Sequence, residues 1–342
     1  MQLLNTLYVT TESSYLRIDN DSIAVEVDRE VRLRLPLHHI ESVVCLGNVG
    51  VSTPFLHRTT EAGIAVVFLD GNGRFKARVE GPVSGNVLLR RAQHAQSQNG
   101  PFCLETARAI VAGKIRNSRQ VLLRGAREAK DDMEATDTSR VAESLAASVR
   151  TLPRTTDLDE VRGIEGEAAR QYFSCLNRLV RSDMREYFRM DGRSRRPPRD
   201  RMNALFSFLY SMWMNDCRSA CEATGLDPQV GFLHALRPGR AALALDLMEE
   251  FRPIADRLAL TLINRGQLTA SDFVEREGGA VLLDGDARKQ VVIAYQERKR
   301  EQVTHALLAE AVPIGILPMV QARLLARTIR GETDGYVPFL IR

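Results

Sequence analysis

Hydrophobic and polar residues alternate in short segments over the first eighty positions. Clear examples are SYLRID, SIAVEVD, VRLRLPL and AVVFLD, and turn-forming residues separate them, as at 19–21 and 70–73. A period of two is typical of β-strands. The pattern therefore predicts an antiparallel series of strands, forming a small, sandwich-like β-sheet domain.

One segment of this region, residues 52–63, has a helical pattern instead. Ser52 or Thr53 can cap the start of a helix, Pro54 suits its first turn, and Gly63 can end it. We predict a single helix between the strands.

From about residue 84 the hydrophobic period becomes mostly helical. The long helical runs lie at 101–133, 138–151, 158–188, 201–224, 239–265 and 313–330. Residues 278–284, GGAVLLD, are an exception and could form a short hairpin strand. We predict an α+β protein: a β-rich domain at 1–84, a linker or first helix at 85–100, and a larger all-α domain at 101–342.

Composition supports two cores and sets limits on charge. The 342 residues are 44% hydrophobic, enough to pack two domains. The formal charge is only +4, from 47 basic and 43 acidic residues. A nucleic-acid site would therefore depend on local clustering of basic residues.

Cysteine usage and hydropathy indicate the compartment. The five cysteines are scattered and form no CxxC pair, which favours a reducing environment. The first residues lack a signal-peptide pattern, and no run of 18 apolar residues occurs. We expect a soluble, cytoplasmic protein without a membrane partner.

The segment at 234–251 reads HALRPGRAALALDLMEEF and combines a histidine, a Pro-Gly turn and an acidic helix. At about 100° per residue, Asp246, Glu249 and Glu250 fall on one arc of that helix. The arc is either the solvated face of an amphipathic helix or one wall of a cation pocket.

His234 adds a nitrogen ligand to the second alternative. The turn at 237–240 can fold its imidazole back toward the acids. One imidazole nitrogen with carboxylate oxygens, and open positions for water and phosphate, suits Mg²⁺ or Mn²⁺; nothing favours zinc.

Glu165 is a further candidate because it lies between Gly163 and Gly166 near the start of an amphipathic helix. Glycines there would let another backbone, a metal or a phosphate approach its carboxylate. The alternative is that Glu165 only favours the positive end of a helix.

Arginines crowd the Pro-Pro loop that precedes an apolar helix. They are Arg193, Arg195, Arg196, Arg199 and Arg201. Clustered guanidiniums can bind phosphates in pairs of hydrogen bonds, whereas a charged run can also be plain solvated surface.

Several other chemistries lack their motifs. The sequence contains neither GxxxxGK[ST] nor a strand-linked GxGxxG, which disfavours nucleoside-triphosphate chemistry and dinucleotide binding. It also lacks the GxSxG elbow of serine hydrolases.

Three segments in this order, RGIEGEAARQYF, GRSRRPPRDRMNALFSFLY and GFLHALRPGRAALALDLMEEFRP, resemble one family. It is the CRISPR-associated endonuclease that integrates new spacers, and the resemblance covers the whole chain. It implies a metal site of Glu165, His234 and Glu249, with Asp246 next to the metal or assisting, and with Glu250 as the alternative to Glu249. It also implies a homodimer formed largely through the N-terminal domains, and a small companion protein that bridges two dimers.

The first hypothesis is thus a Mg²⁺- or Mn²⁺-dependent DNA endonuclease and integrase. A free 3′-hydroxyl of a short double-stranded fragment would attack a phosphodiester of CRISPR repeat DNA. The basic residues expected to contact DNA are Arg193, Arg195, Arg196, Arg199, Arg237 and Arg240. Two alternatives remain: a non-catalytic DNA-binding scaffold whose acids and His234 form a buried polar network, and a metal-dependent nuclease acting on branched repair intermediates.

Overall fold

A computed structural model describes residues 6–71, 73, 75–81, 87–194 and 197–341. The chain divides into two compact units. The first comprises Met1–Ser84 with Leu283–Arg300, and the second comprises Gly85–Leu282 with Glu301–Arg342.

The first unit contains two four-stranded sheets. One has the order β1-β5-β7-β8 and the other β4-β3-β2-β6. The strands are β1 (Thr6–Val9), β2 (Tyr15–Asp19), β3 (Ser22–Val27), β4 (Glu30–Pro36), β5 (Ser42–Leu46), β6 (Gly50–Val51), β7 (Ala65–Leu69) and β8 (Phe75–Val79). Between the sheets, side chains such as Leu16, Ile23, Val43 and Val66 form a buried core.

Strand direction differs from the predicted antiparallel series. Strands β1 and β5, β5 and β7, and β2 and β6 pair in parallel. Parallel neighbours need a crossover, and helix α1 (Thr53–Glu61) lies in the connection from β5 to β7. Alternation along the chain reports burial on one face and carries no information on strand direction.

The predicted helix at 52–63 is confirmed as α1. The Ser52 hydroxyl accepts a hydrogen bond from the Phe55 amide at 3.2 Å, and Pro54 lies in the first turn. Gly63 follows the helix with a φ of +69°, a conformation that glycine adopts without strain. Phe55 is fully buried and anchors the helix in the core.

The first unit also includes helix α9 (Gly285–Arg300), which the sequence pattern did not predict. The predicted division gave residues 283–300 to the C-terminal domain. In the structure, the Arg288 guanidinium of this helix donates to the Gly71 carbonyl.

The second unit is mostly helical. Its helices are α2 (Val87–Ser97), α3 (Gly100–Glu128), α4 (Asp132–Thr151), α5 (Leu158–Leu176), α6 (Arg201–Thr224), α7 (Ala242–Met248), α8 (Arg252–Asn264) and α10 (Leu317–Ile329). The α+β class is confirmed. The C-terminal part is not all-α, however, because β9 (Phe273–Arg276) pairs with β10 (Ala280–Leu283), and β11 (Gln302–His305) with β12 (Glu310–Pro313).

Two predicted helical runs are shorter than expected. The run at 158–188 ends as a regular helix at Leu176, and the run at 239–265 breaks at residues 249–251. Pro253 lies in the first turn of α8 and lacks the N–H that a continuous helix would need. Phe251 holds the break in place, since it is fully buried and stacked on Trp213 with ring centroids 5.2 Å apart.

Within the described ranges, no helix combines the length and the apolarity that a bilayer crossing needs.

Candidate functional site

Four side chains from distant parts of the second unit meet at the break between α7 and α8. His234 Nε2 lies 3.8 Å from Glu249 Oε1. Lys114, on α3, places its ammonium 2.5 Å from Glu249 Oε2 and also contacts the Glu165 carboxylate of α5. Lys114 thus links Glu165 to one oxygen of Glu249, and His234 lies beside the other oxygen of Glu249.

Asp246 holds His234 from behind. Its Oδ1 lies 2.6 Å from His234 Nδ1 and accepts the His234 amide at 3.0 Å, while Oδ2 accepts the amides of Phe232 and Leu233. The carboxylate is fully buried. An acceptor at Nδ1 favours the tautomer whose Nε2 lone pair faces Glu249.

Gly231 lets the histidine loop approach α7. A Cβ atom at this position would lie 2.6 Å from Asp246 Oδ2 and 2.8 Å from the backbone of Ala242. A side chain there would push the loop away from the carboxylate that orients His234.

Glu249 is a buried carboxylate between two cations. Arg252 Nε donates to its Oε1 at 2.9 Å, and Lys114 is on the other side. Burial opposes ionisation, but the charges of Arg252 and Lys114 outweigh it and lower the pKa of Glu249. Glu249 is therefore ionised at neutral pH.

Glu165 lies on α5 with open space beside it. Among the described residues, a Cβ atom on either Gly163 or Gly166 would meet no heavy atom within 4 Å. No other described backbone approaches these glycines, and of the three expected neighbours a metal or a phosphate stays a prediction. The free volume leaves room for a phosphate or a strand beside the carboxylate.

Glu250 belongs to a different cluster. Its carboxyl accepts hydrogen bonds from Tyr336 Oη, Gln321 Nε2 and the Phe339 amide, and the Asn117 side chain donates to its carbonyl. Burial raises the pKa of Glu250 to about 8, although these hydrogen bonds lower it in part. The expectation that Asp246, Glu249 and Glu250 share one face is wrong for Glu250, because the helix breaks between 248 and 252. Asp246 and Glu249 both lie beside His234, whereas Glu250 points to Gln321 and Tyr336.

The donor set fits a hard divalent cation. Two carboxylates and one imidazole are suitable ligands for Mg²⁺ or Mn²⁺. As positioned, no three His, Cys, Asp or Glu side chains in the described part of the chain are close enough to hold an ion. The Lys114 ammonium lies 2.5 Å from Glu249 Oε2, a buried oxygen that a divalent ion would also contact.

The predicted DNA-binding arginines lie in different environments. Arg193 turns inward, with its guanidinium 5.2 Å from the centroid of the Tyr210 ring and hydrogen-bonded to Asn203. Arg199 and Arg237 are exposed, and Arg240 is half-buried. Arg195 and Arg196 lie outside the described residues. Arg193 is thus placed for packing, which is not the exposed position that the loop composition suggested.

Sequence reasoning missed Lys114 and Arg252. Lys114 lies in an ordinary amphipathic stretch of α3, 51 residues before Glu165. Arg252 lies three residues after Glu249, a spacing that places two residues on one side of a helix and that could have indicated the pair.

A basic cleft of about 660 Å³ lies farther along α3 and α8. The loop at 178–185 and the start of α4 complete its walls, and Asn264 fixes that loop by accepting the Arg181 amide and donating to the Leu179 carbonyl. Seven basic residues and three acidic ones line it: Arg124, Lys130, Arg178, Arg181, Arg185, Arg257 and Arg265, with Glu128, Asp131 and Glu134. Basic residues therefore outnumber acidic ones in the lining of this cleft.

Solved structures share this architecture. A Cas1 protein from Thermotoga maritima superposes with a TM-score of 0.82 and 25% identity, covering 99% of this chain and 100% of the other. A casposase bound to its integration product gives a TM-score of 0.83 at 20% identity, covering 97% and 92%. The latter likeness shows a common fold.

Sequence comparison gives the family. The profile of the family described as CRISPR associated protein Cas1 matches residues 7–297. The chain is 54% identical over 341 residues to CRISPR-associated endonuclease Cas1 1 of Moorella thermoacetica, covering 99% of each. It is 49% identical over 343 residues to Cas1 2 of Rhodospirillum rubrum, covering 99% of this chain and 98% of the relative. On this evidence the chain belongs to the Cas1 family of CRISPR-associated proteins.

Proposed function

We propose that this chain is a DNA endonuclease and integrase that joins short DNA fragments to CRISPR repeat DNA with the help of Mg²⁺ or Mn²⁺. One set of contacts carries the proposal: Lys114 contacts both Glu165 and Glu249, His234 Nε2 lies 3.8 Å from Glu249, and Asp246 orients the histidine. The endonuclease names of relatives up to 54% identical support the reaction class.

Glu165, His234 and Glu249 would hold the divalent ion. Bound there, the ion supplies an electrophile that polarises a phosphodiester and stabilises the charge that builds on its oxygens. Asp246 keeps His234 Nε2 directed at the site, and Arg252 fixes the Glu249 carboxylate.

The reaction would be a transesterification. The 3′-oxygen of the incoming DNA forms a bond to phosphorus, and the bond from phosphorus to the 3′-oxygen of the target strand breaks. The attacking hydroxyl loses its proton to solvent, and the released 3′-oxygen takes up a proton from solvent. The protein needs no covalent nucleophile; its residues position the two DNA strands and stabilise the charge that develops on the phosphate.

DNA binding would rest on exposed basic residues near this site. The basic cleft begins at Val121, about 10 Å from Lys114 at the rise of an α-helix. Its exposed arginines, with Arg199 and Arg237, would contact phosphates without selecting bases; they are Arg124, Arg178, Arg181 and Arg265. We also propose that the protein is a cytoplasmic homodimer that works with a small companion protein. In support of a companion, the solved Cas6-RT-Cas1–Cas2 complex contains a chain of this fold, with 23% identity and a TM-score of 0.83. The match spans 98% of this chain and 36% of that one.

The test is strand transfer by His234→Ala with Mn²⁺ or Mg²⁺. We expect joining of a fragment with a free 3′-hydroxyl to disappear, while DNA binding and the melting temperature stay close to those of the unchanged protein. Full joining by the variant would overturn the proposed site.

Two further assays separate the alternatives. A non-catalytic scaffold would bind DNA equally well with a chelator and would neither cut nor join it in any metal. A nuclease of branched repair intermediates would act equally on fragments with free and with blocked 3′ ends, whereas an integrase requires the free hydroxyl.

A further inference from the structure

Lys114 is nearly enclosed and has two acidic partners. Its side chain is 13% exposed, and its ammonium contacts Glu165 and Glu249, whose side chains are 26% and 4% exposed. Burying a lone ammonium is costly, so the two carboxylates and the lysine stabilise one another. Arg252 lies beside Glu249, so the two acids face two cations.

The residue type is unusual for this chain. Only five of its 47 Lys and Arg residues are lysines: Lys76, Lys114, Lys130, Lys289 and Lys299. Most of the ion pairs in the described residues use arginine, including the one between Arg252 and Glu249. Lysine carries a compact charge on a flexible stem and lacks the planar fork that keeps arginine fixed on a carboxylate.

A divalent ion and the Lys114 ammonium would compete for the same oxygens. Glu249 Oε2 and the Glu165 carboxylate are the atoms that the ammonium now contacts, and they are also two of the three proposed ligands. A divalent ion and the Lys114 ammonium would repel each other strongly if both contacted these oxygens.

We propose that Lys114 is an internal counter-ion that keeps Glu165 and Glu249 together in the metal-free protein and leaves its place when a divalent cation binds. The inference rests on the proposed function and extends it, because it makes metal affinity depend on a residue that is not a ligand. Lys114 stabilises the metal-free fold and weakens metal binding. Removing the Lys114 charge should therefore lower the stability of the metal-free protein and raise its affinity for the metal.

The first experiment compares the intact chain with Lys114→Met, Lys114→Arg and the exposed control Lys130→Met after treatment with chelator and dialysis. Calorimetric titration with Mn²⁺ gives the Kd, and thermal melting gives the stability with and without metal. We expect Lys114→Met to melt lower without metal and to bind Mn²⁺ on the order of tenfold more tightly, because one competing charge is gone. Lys114→Arg and Lys130→Met should show no tightening.

A lysine that serves only packing gives a different result. Lys114→Met would then melt lower and bind Mn²⁺ equally or less tightly, and this outcome overturns the proposal. Should the proposed metal site itself be wrong, the unchanged protein would show no Mn²⁺ binding that His234→Ala removes, and both proposals fall. Binding that His234→Ala removes but Lys114→Met does not strengthen overturns only the inference.

The second experiment needs no variant, and it decides the matter if Lys114→Met does not fold without metal. The unchanged protein is labelled with an amine-acylating ester, with chelator or with saturating Mn²⁺, and the modified lysines are counted by peptide mass spectrometry. Lys114 should be protected without metal and several-fold more reactive with it, while exposed Lys130 reacts equally in both. Unchanged protection of Lys114 at saturating Mn²⁺ overturns the proposal.

Discussion

The Nδ1 atom of His234 lies 2.6 Å from Oδ1 of Asp246, a carboxylate with no exposed surface. The same carboxylate accepts the backbone amides of residues 232–234. One side chain thus fixes both the direction of the imidazole and the path of the loop that carries it.

Asp246→Asn should lower Mn²⁺ affinity and strand transfer by roughly 10- to 100-fold, as for other groups that orient a metal-bound histidine. The amide can accept at only one of its two atoms, so part of the loop loses its partner. Titration calorimetry and a joining assay measure the effect. Asp227→Asn is the control, since Asp227 also accepts a backbone amide, that of Gln229 at 2.8 Å, without touching the site; equal losses in both variants would contradict the role of Asp246.

Glu249→Gln and Glu250→Gln should behave differently although the residues are adjacent. Glu249→Gln removes a proposed ligand and should reduce joining by roughly 10²-fold or more. Glu250→Gln keeps a neutral group in a cluster where burial already disfavours the charged form, so joining should persist and the change should appear mainly in the melting temperature. A joining assay that ranks the two variants in the opposite order would assign the ligand to Glu250.

Arg193→Ala should lower stability, by roughly 1–3 kcal/mol, because the guanidinium packs on Tyr210 and bonds Asn203. Arg199→Ala, at an exposed position, should leave the melting temperature within error and weaken DNA binding. Melting curves and filter binding distinguish them. If Arg193→Ala melts normally and loses only DNA affinity, the inward placement has no consequence for stability.

Neutralising Lys130 and Arg265 together should weaken DNA binding. The slope of the logarithm of the binding constant against the logarithm of the salt concentration should become shallower by roughly two, about one for each lost phosphate contact. Both residues are exposed at the cleft. The control is the double variant of Arg140 and Arg170, exposed arginines that pair with Asp137 and Glu167 on their own helices. Identical salt slopes for the two double variants would show that the cleft does not bind DNA.

Asp256 predicts a pH dependence of stability. Burial raises the pKa of this carboxyl from 3.8 to about 6, despite hydrogen bonds from Tyr172 at 3.0 Å and Tyr210 at 2.5 Å. The folded state therefore binds the proton of Asp256 more tightly than the unfolded state does. The resulting contribution to the free energy of unfolding is on the order of 3 kcal/mol; it is complete below about pH 4 and is lost as the pH rises through 6. Denaturant melts from pH 4 to 7 should show a decline that Asp256→Asn reduces, and parallel curves would exclude Asp256 as its source.

The sequence pattern predicted those features of the fold that depend on interactions between residues close in sequence. The α+β class, the capped helix at Ser52 and most helices of the second unit follow from periodicity and turn chemistry. The parallel pairing of β1 with β5 does not, since Thr6 and Ser42 are 36 residues apart and alternation is the same in either direction.

The candidate site shows the same limit. Family motifs selected Glu165, His234 and Glu249, which the structure brings together. They gave no sign of Lys114, and helical geometry wrongly grouped Glu250 with the other acids. The partner of Glu250, Tyr336, is 86 residues away, so only tertiary packing decides which glutamate faces the site.

The site and the basic cleft share the same two helices, and this makes their separation a fixed length. From Lys114 to Arg124 the axis of α3 advances about 15 Å. A duplex held by both would span about four base pairs over that length, at 3.4 Å for each step. The helices would then act as a molecular ruler, with protected phosphates expected at a constant offset from the joined bond whatever the base sequence.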